Sequence, residues 1–269
     1  MHKINLSAIV VGFNEASFLK DCLESISFCK EILYFDLGST DNSTKIAEYA
    51  GASIIHHPRV LNCEWIHAKF ANTTKYEWLI ILDPDEVVDR TLANQVIEIF
   101  DQGGFAKDIC ALKVPWKFYF KNKPLLGTPW GGENSRIFIA NKMRFTFTSD
   151  IHLGRKPMQG FRIEEIKSDG SNCIHHFWMR DTKMLFEKHL RYLKNEGEAR
   201  FNNEERSSIV KILYTPIKQF HFSFIRKKGY KNLISGFLLS IFWAWYQTAA
   251  CLKVLQFQNS KKIEAEKEN

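Results

Sequence analysis

Little in this sequence fits a secreted, cross-linked or repetitive protein. Its six cysteines, Cys22, Cys29, Cys63, Cys110, Cys173 and Cys251, are scattered, with no close pair of pairs. That spacing argues against a zinc ribbon or a disulfide framework and predicts reduced, mostly buried thiols. The charged-then-apolar signature of export is missing too: Met1 to Leu6 carries a His and a Lys, and the apolar run that follows is brief and contains Gly12 and Asn14. The protein is therefore expected to stay in the cytosol. No internal repeat or low-complexity segment precedes the polar, charged stretch Ser260 to Asn269, whose composition predicts disorder.

What is present is apolar surface to bury. At 269 residues, 45% hydrophobic and 14% aromatic, the chain can fill one large domain or a domain with an appendage. The net charge of +7 suits nucleic acid, an anionic membrane face or a phosphorylated substrate. Nucleic acid is the weakest of these, because bases and aromatics do not interleave in one compact patch except near Arg226-Lys227-Lys228.

The first hundred residues alternate. Leu6 to Gly12 reads as a strand, Ala16 to Ser27 as a helix with Phe18, Leu19, Cys22, Leu23 and Ile26 on one face, and Glu31 to Asp36 as a second strand. A helix from near Asn42 ends at Gly51, Ala52 to His56 is a third strand, and a helix follows around Ile66 to Thr74. Trp78-Leu79-Ile80-Ile81-Leu82 then reads as a buried strand closed by Asp83-Pro84-Asp85-Glu86. This alternation predicts a doubly wound, mostly parallel α/β sheet with three loops along one edge: 13–15, 36–41 and 83–86. Ligands of such sheets sit at that edge, and Asp83 and Asp85 make an oxygen site for Mg²⁺ or Mn²⁺. The plainer reading is a solvated turn whose Asp residues cap the next helix, expected at Thr91 to Phe100.

Beyond it, Ile109 to Trp116, Arg136 to Ala140 and Arg144 to Phe147 look like antiparallel strands of a smaller, mixed second half, and the sequence turns helical from Asp181. Asn232 to Leu252 carries no formal charge, is rich in Phe, Trp and Tyr, and follows the basic run Arg226 to Lys231. Ser235, Gly236, Ser240, Gln247 and Thr248 dilute it, which favours a helix lying in the interface of an anionic leaflet over one that crosses. A helix packed on its own domain or on a partner copy is the competing reading. The expected organisation is a domain over 1–205, with halves of about 1–105 and 106–205, a membrane-associated helical extension over 206–258 and a disordered tail over 259–269. A chain ended before Arg226 is expected to remain soluble.

Taken together, Val10-Val11-Gly12-Phe13-Asn14-Glu15, Phe35-Asp36-Leu37-Gly38-Ser39-Thr40-Asp41 and Leu82-Asp83-Pro84-Asp85-Glu86 resemble the three successive signatures of family 2 glycosyltransferases. Downstream, Arg136-Ile137-Phe138, Ile151-His152, Ile174-His175, the helix with Lys188, Tyr192, Glu198 and Ala199, and Lys228-Gly229 are similar to the branch that holds lipopolysaccharide-core glucosyltransferases. The resemblance implies a GT-A fold and a metal-assisted inverting transfer. The donor would be a UDP-sugar and the acceptor lipid-linked or a lipopolysaccharide core, on the cytoplasmic face of the membrane. By the same resemblance Asp36 would meet the uracil, Phe13, Asn14 and Glu15 would line the base pocket, and Asp83 would touch ribose or metal. Asp85 would ligate the Mg²⁺ or Mn²⁺, and His67 or Lys69 would face the phosphates. Here the chain departs from its relatives, many of which have Glu after the His where it has His152-Leu153. Asp150 and Glu133 are the substitute catalytic bases. A nucleotidyltransferase is disfavoured because Phe13-Asn14-Glu15-Ala16 has neither Gly nor a base to hold a triphosphate. A non-catalytic membrane-bound binding protein is the other alternative, favoured by the missing Glu and opposed by Asp83 and Asp85.

Overall fold

The computed structural model describes residues 2–60, 62–132, 134–148 and 155–268. β1 (Ile4–Gly12) is buried at every position but one, so both of its faces meet protein and the sequence shows a run rather than an alternation. Ala8 and Val10 join one apolar cluster, Ile9 and Val11 another on the opposite face. The elements that supply those clusters follow in order: α1 (Leu19–Ser25), β2 (Cys29–Asp36), α2 (Ser43–Tyr49), β3 (Ser53–His56), α3 (Cys63–Phe70) and β4 (Trp78–Leu82). α1 and α2 pack on one side with Leu19, Leu23 and Ala47, while α3 places Ile66 on the other. β1 pairs in parallel with β2 and β4, and β2 with β3. The doubly wound reading of the first half therefore holds.

Next come β5 (Glu86–Val88), α4 (Arg90–Asp101), β6 (Ile109–Phe120), β7 (Lys123–Pro124), β8 (Asn134–Asn141), β9 (Phe145–Phe147), β10 (Arg155–Pro157), β11 (Arg162–Glu165) and β12 (Ile174–Met179). β8 pairs antiparallel with both β4 and β6, giving the sheet the order β3-β2-β1-β4-β8-β6-β12-β5. β5 has no counterpart in the sequence reading, where Glu86 belonged to a turn. Its three residues lie antiparallel to β12, with Glu86 opposite His176.

The chain forms two compact units, 1–117 with 134–176, and 118–133 with 177–269. The second unit is built on α5 (Thr182–Asn202), α6 (Ile209–His221) and α7 (Leu233–Glu268), with a π-helical turn at Phe222–Arg226 and a 3-10 turn at Gly229–Asn232 between the last two. Buried Leu185, His189, Leu193 and Gly197 recur every four residues on α5. On α7, Leu239, Phe242, Tyr246, Ala250 and Val254 are buried. A Cβ on Gly197 would stand 2.6 Å from the Lys253 carbonyl oxygen, so glycine is what lets the two backbones approach. The second unit thus uses α7 as core. The tail expected to be disordered from Ser260 is helical as far as Glu268, where good helix formers extend a helix already nucleated and Lys261 pairs with Glu264 at 2.7 Å. Among the described residues one stretch, Gly229–Glu264, is long and apolar enough to cross a membrane by length and composition.

Candidate active site

Strand register brings the three predicted loops to one edge. Gly12 lies beside Asp36, Asp36 beside His56, and Val10 beside Leu82, so that β1, β2 and β4 end within a residue or two of each other. Asp36 is 3% exposed. Its carboxylate accepts from the Ser39 amide at 3.0 Å and from His56 Nδ1 at 3.2 Å. Burial would raise its pKa, but the hydrogen bonds from Ser39, His56 and the Gly38 amide prevail and hold it below the usual carboxylate value. It is a charged acceptor at the tip of β2.

The loop after β1 is tied to the loop after β2. Asn14 sits in the left-handed region at φ 57, its amide donates to Ser39 Oγ at 3.0 Å, and its Oδ1 accepts from the Thr40 amide at 2.8 Å. The Glu15 amide donates to Ser43 Oγ at 2.9 Å and the Ala16 amide to Asp41 Oδ2 at 3.1 Å. Asn14, expected to line a base pocket, is thus placed to clamp two loops. Phe13 carries the Arg59 guanidinium 3.5 Å above its ring. Arg59, just past β3 in His56-His57-Pro58-Arg59, is a cation at this edge that the sequence reading passed over.

At the tip of β4 the capping alternative fails. The N-cap of α4 is Asp89, which accepts from the Thr91 amide at 2.7 Å, leaving that role to neither Asp83 nor Asp85. Glu86 closes the turn: its Oε2 accepts from the Asp83 amide at 2.9 Å and its own amide donates to the Asp83 carbonyl at 3.0 Å. Its side chain is fully buried and paired with Arg136 of β8, which also donates to the Ile81 carbonyl at 3.2 Å. The Arg136 guanidinium lies 5.0 Å from the Trp116 ring, and Trp116 stacks on His176 at 5.0 Å and 9°. His176 Nε2 then stands 3.3 Å from Asp85 Oδ2. Burial pushes the Glu86 carboxyl up and the Asp83 and Asp85 charges add to this, while Arg136 and His176 oppose it. Burial works against a charged His176, but Asp85 and then Glu86 more than offset it and raise its pKa.

Of the other predicted residues, Lys69 is exposed on α3 with its ammonium 4.5 Å from the Trp65 ring, and His67 on the same helix is buried. Trp130, which no sequence motif marks, packs against an apolar cluster of the second unit, 4.6 Å from Trp178. Both proposed bases, Asp150 and Glu133, lie outside the described residues, as does His152. Arg136, Glu86, Trp116 and His176 are the group for which the sequence reading assigned no joint role.

A sequence model of the family described as glycosyl transferase family 2 matches residues 7–186. The chain belongs to that family. This family 2 protein is a glycosyltransferase, and its sheet is the mixed one of the GT-A fold, parallel through β3-β2-β1-β4 and antiparallel where β8 joins. It is similar to the lipopolysaccharide core biosynthesis glycosyltransferase LpsC of Rhizobium meliloti (strain 1021), 24% identical over 94% of this chain and 93% of that one. An uncharacterized glycosyltransferase of Rickettsia bellii (strain RML369-C) is 29% identical over 35% of this chain and 32% of its own. Among solved structures, glucosyl-3-phosphoglycerate synthase from Mycobacterium tuberculosis, crystallised with Mn²⁺, uridine diphosphate and glucosyl-3-phosphoglycerate, matches 52% of this family 2 chain at 16% identity and a TM-score of 0.37. The match spans 57% of that structure's chain.

The donor set of this glycosyltransferase fits a divalent cation. The carboxylate oxygens of Asp83 and Asp85 suit Mg²⁺ or Mn²⁺, and His176 Nε2 lies 3.3 Å from Asp85 Oδ2, close enough for the two to share one ion. Among the described residues no group of three or more His, Cys, Asp and Glu forms a closed cage.

Proposed function

We propose that this glycosyltransferase moves a sugar from a UDP donor to a lipid-linked or lipopolysaccharide-core acceptor, with inversion at the anomeric carbon. The observation that carries the reading is the row of acidic groups at one sheet edge: Asp36 at the tip of β2, and Asp83 and Asp85 at the tip of β4 with His176 at 3.3 Å. Asp36, charged and aimed at the edge, accepts from the N–H of a uracil ring. Phe13, with Glu15 nearby in the same loop, offers the base a flat apolar wall, and Arg59 over that ring brings positive charge toward the diphosphate. Asp85 and His176, with Asp83 beside them, hold the Mg²⁺ or Mn²⁺, and Lys69 or His67 adds charge from α3. Bound there, such a cation would supply positive charge to offset the negative charge that builds on the departing diphosphate.

Glu86 and Arg136 fix where Asp83 and Asp85 stand, because a buried ion pair that also bonds the Asp83 amide and the Ile81 carbonyl leaves the turn one conformation. The acceptor hydroxyl must lose its proton as the new bond forms, and Asp150 and Glu133 are the carboxylates assigned to that task. The acceptor class rests on the similarity, over 94% of this chain, to a lipopolysaccharide core enzyme. Membrane placement rests on the basic run Arg226 to Lys231 followed by the aromatic stretch Phe237 to Tyr246, and puts the protein peripherally on the inner face of the cell membrane. The test is a panel of nucleotide sugars incubated with purified protein and Mn²⁺ or Mg²⁺. Release of UDP from one or a few donors, lost on chelation, is the expected result. Turnover of a nucleoside triphosphate with a sugar phosphate, or binding without hydrolysis, replaces this reading.

A further inference from the structure

Between Arg206 and Ile263 the chain carries ten Lys and Arg and no Asp or Glu. The rest of the sequence holds the other 27 bases against all 30 acids, so the net charge of +7 comes wholly from this segment. It folds as α6, the two turns after it and most of α7. The segment also exposes apolar side chains in a pattern. On α6, Ile209, Val210, Leu213, Tyr214 and Ile217 form one stripe, each between 60% and 77% exposed, while Thr215 on the other side is buried. α7 continues the apolar face with Leu233, Ile234, Leu238, Ile241 and Trp245. Between the two helices runs a groove of about 830 Å³ whose walls include Ile212, Pro216, Phe220, Ile241, Ala244 and Trp245.

Three occupants compete for such a face, and charge decides among them. A second copy related by a two-fold axis would set the patch against itself, bringing Lys218, Arg226, Lys227, Lys228 and Lys231 toward their own equivalents with no acid between them. A helix crossing the bilayer would carry charged neighbours with it: Tyr246 donates to Glu196 of α5 at 3.0 Å, and Arg200 of α5 donates to Gln247 at 3.1 Å. A lipid surface uses all that is there, with apolar side chains for the acyl region, Tyr214, Tyr230 and Trp245 for headgroup depth, and bases for anionic lipid.

We propose that α6 and the first half of α7 form a two-helix wedge that enters one leaflet of an anionic bilayer, the groove between them taking an acyl chain of a membrane lipid. The basic turns Arg226 to Lys231 lie at the headgroups. This rests on the membrane placement given above and adds to it α6 and the groove, neither of which the charge-free stretch of α7 discloses.

The test is flotation of the full chain with vesicles of phosphatidylethanolamine and phosphatidylglycerol, with vesicles of phosphatidylcholine alone as control. Paired variants Leu213→Asp and Ile217→Asp replace exposed side chains, so melting temperature and UDP-sugar hydrolysis in solution should not change. Vesicle affinity should fall about tenfold or more, the weight of one or two apolar side chains left in water. Bromine on the lipid acyl chains should quench tryptophan emission, and Trp245→Phe should remove much of that quenching. Equal flotation of the wild-type and paired-variant proteins overturns the wedge. So does a wild-type protein that ignores both vesicle types and forms a dimer that the variants dissociate. Flotation without hydrolysis of any nucleotide sugar would leave the wedge and remove the transferase donor reading, whereas hydrolysis without flotation would do the reverse.

Discussion

Asp85 stands outside the core, its side chain partly exposed and the cap of α4 supplied by Asp89, and the proposed function gives it to the ligand. Asp85→Ala should abolish metal-dependent UDP release and leave the melting temperature within about 2 °C, as a surface substitution does. Asp83→Asn should weaken donor binding more than metal binding, and titration of each variant with Mn²⁺ and with UDP separates the two losses. Glu86 is the opposite kind of carboxylate. Fully buried and paired with Arg136, it leaves an uncompensated charge if either partner is removed, at a cost of about 3–5 kcal/mol. Urea unfolding of Glu86→Ala or Arg136→Met should show that loss, and the double change Glu86→Leu with Arg136→Met should recover much of the stability while activity stays absent. For the acceptor proton, Asp150→Asn or Glu133→Gln should lower kcat by about 10²-fold with donor affinity unchanged, whichever group is the base. If kcat survives both, neither assignment stands.

At the scale of the element, α5 carries a titrating group inside its packing stripe. His189 lies within 6 Å of the rings of Trp130, Trp178, Tyr192, Phe242 and Tyr246, and its Nδ1 donates to the Leu185 carbonyl at 2.7 Å. Burial lowers its pKa, Lys188 adds to this, and the Leu185 carbonyl and Glu196 oppose it. The unfolded chain, with a His near 6.5, therefore binds the proton first. The resulting stability is complete above about pH 6.5 and declines as pH falls below it. His176 has the opposite sign, its pKa being raised in the folded state, so the two must be separated by substitution. Thermal melts should fall between about pH 7.5 and 5.5, and His189→Gln should flatten that slope whatever it does to the melting temperature itself. An unchanged slope would place the acid sensitivity elsewhere. α7 changes an earlier expectation at this scale. Its buried Leu239, Phe242, Tyr246, Ala250 and Val254 mean that a chain ended before Arg226 loses core. Such a truncation should aggregate rather than yield a soluble enzyme.

Over the whole molecule, the parts legible in sequence were those with a one-dimensional signature. Buried parallel strands write themselves as apolar runs, so β1, β2 and β4 and the acids at their tips were placed from sequence. His176 was not, because successive strand residues face opposite sides and only the pairing of β12 with β5 decides that His176, not His175, reaches Asp85. The Glu86–Arg136 pair joins residues 50 apart, a distance no local pattern reports. The loop-clamping bond of Asn14 to the Thr40 amide, made from a left-handed backbone, has no local sequence signature either. An aromatic stretch without charge reads the same whether lipid or protein covers it, and α7 has one side against α5 and another exposed.

The second unit is assembled from two stretches of chain far apart in sequence, 118–133 and 177–269. Asn232 pins the first to the second: its Oδ1 accepts from the amides of Leu126 and Gly127, each at 2.9 Å, and its Nδ2 donates to the Pro124 carbonyl at 3.0 Å. On the ribosome the loop around Gly127 must therefore wait for a partner 105 residues downstream, roughly 5–20 s at ordinary elongation rates. Chains stalled just after Asn202 should be cut by protease within 118–133, and released chains should resist. The organism that makes this enzyme has to shield an apolar, unfinished half-domain through more than a third of each round of translation, and slow codons between α5 and α7 would lengthen that exposure.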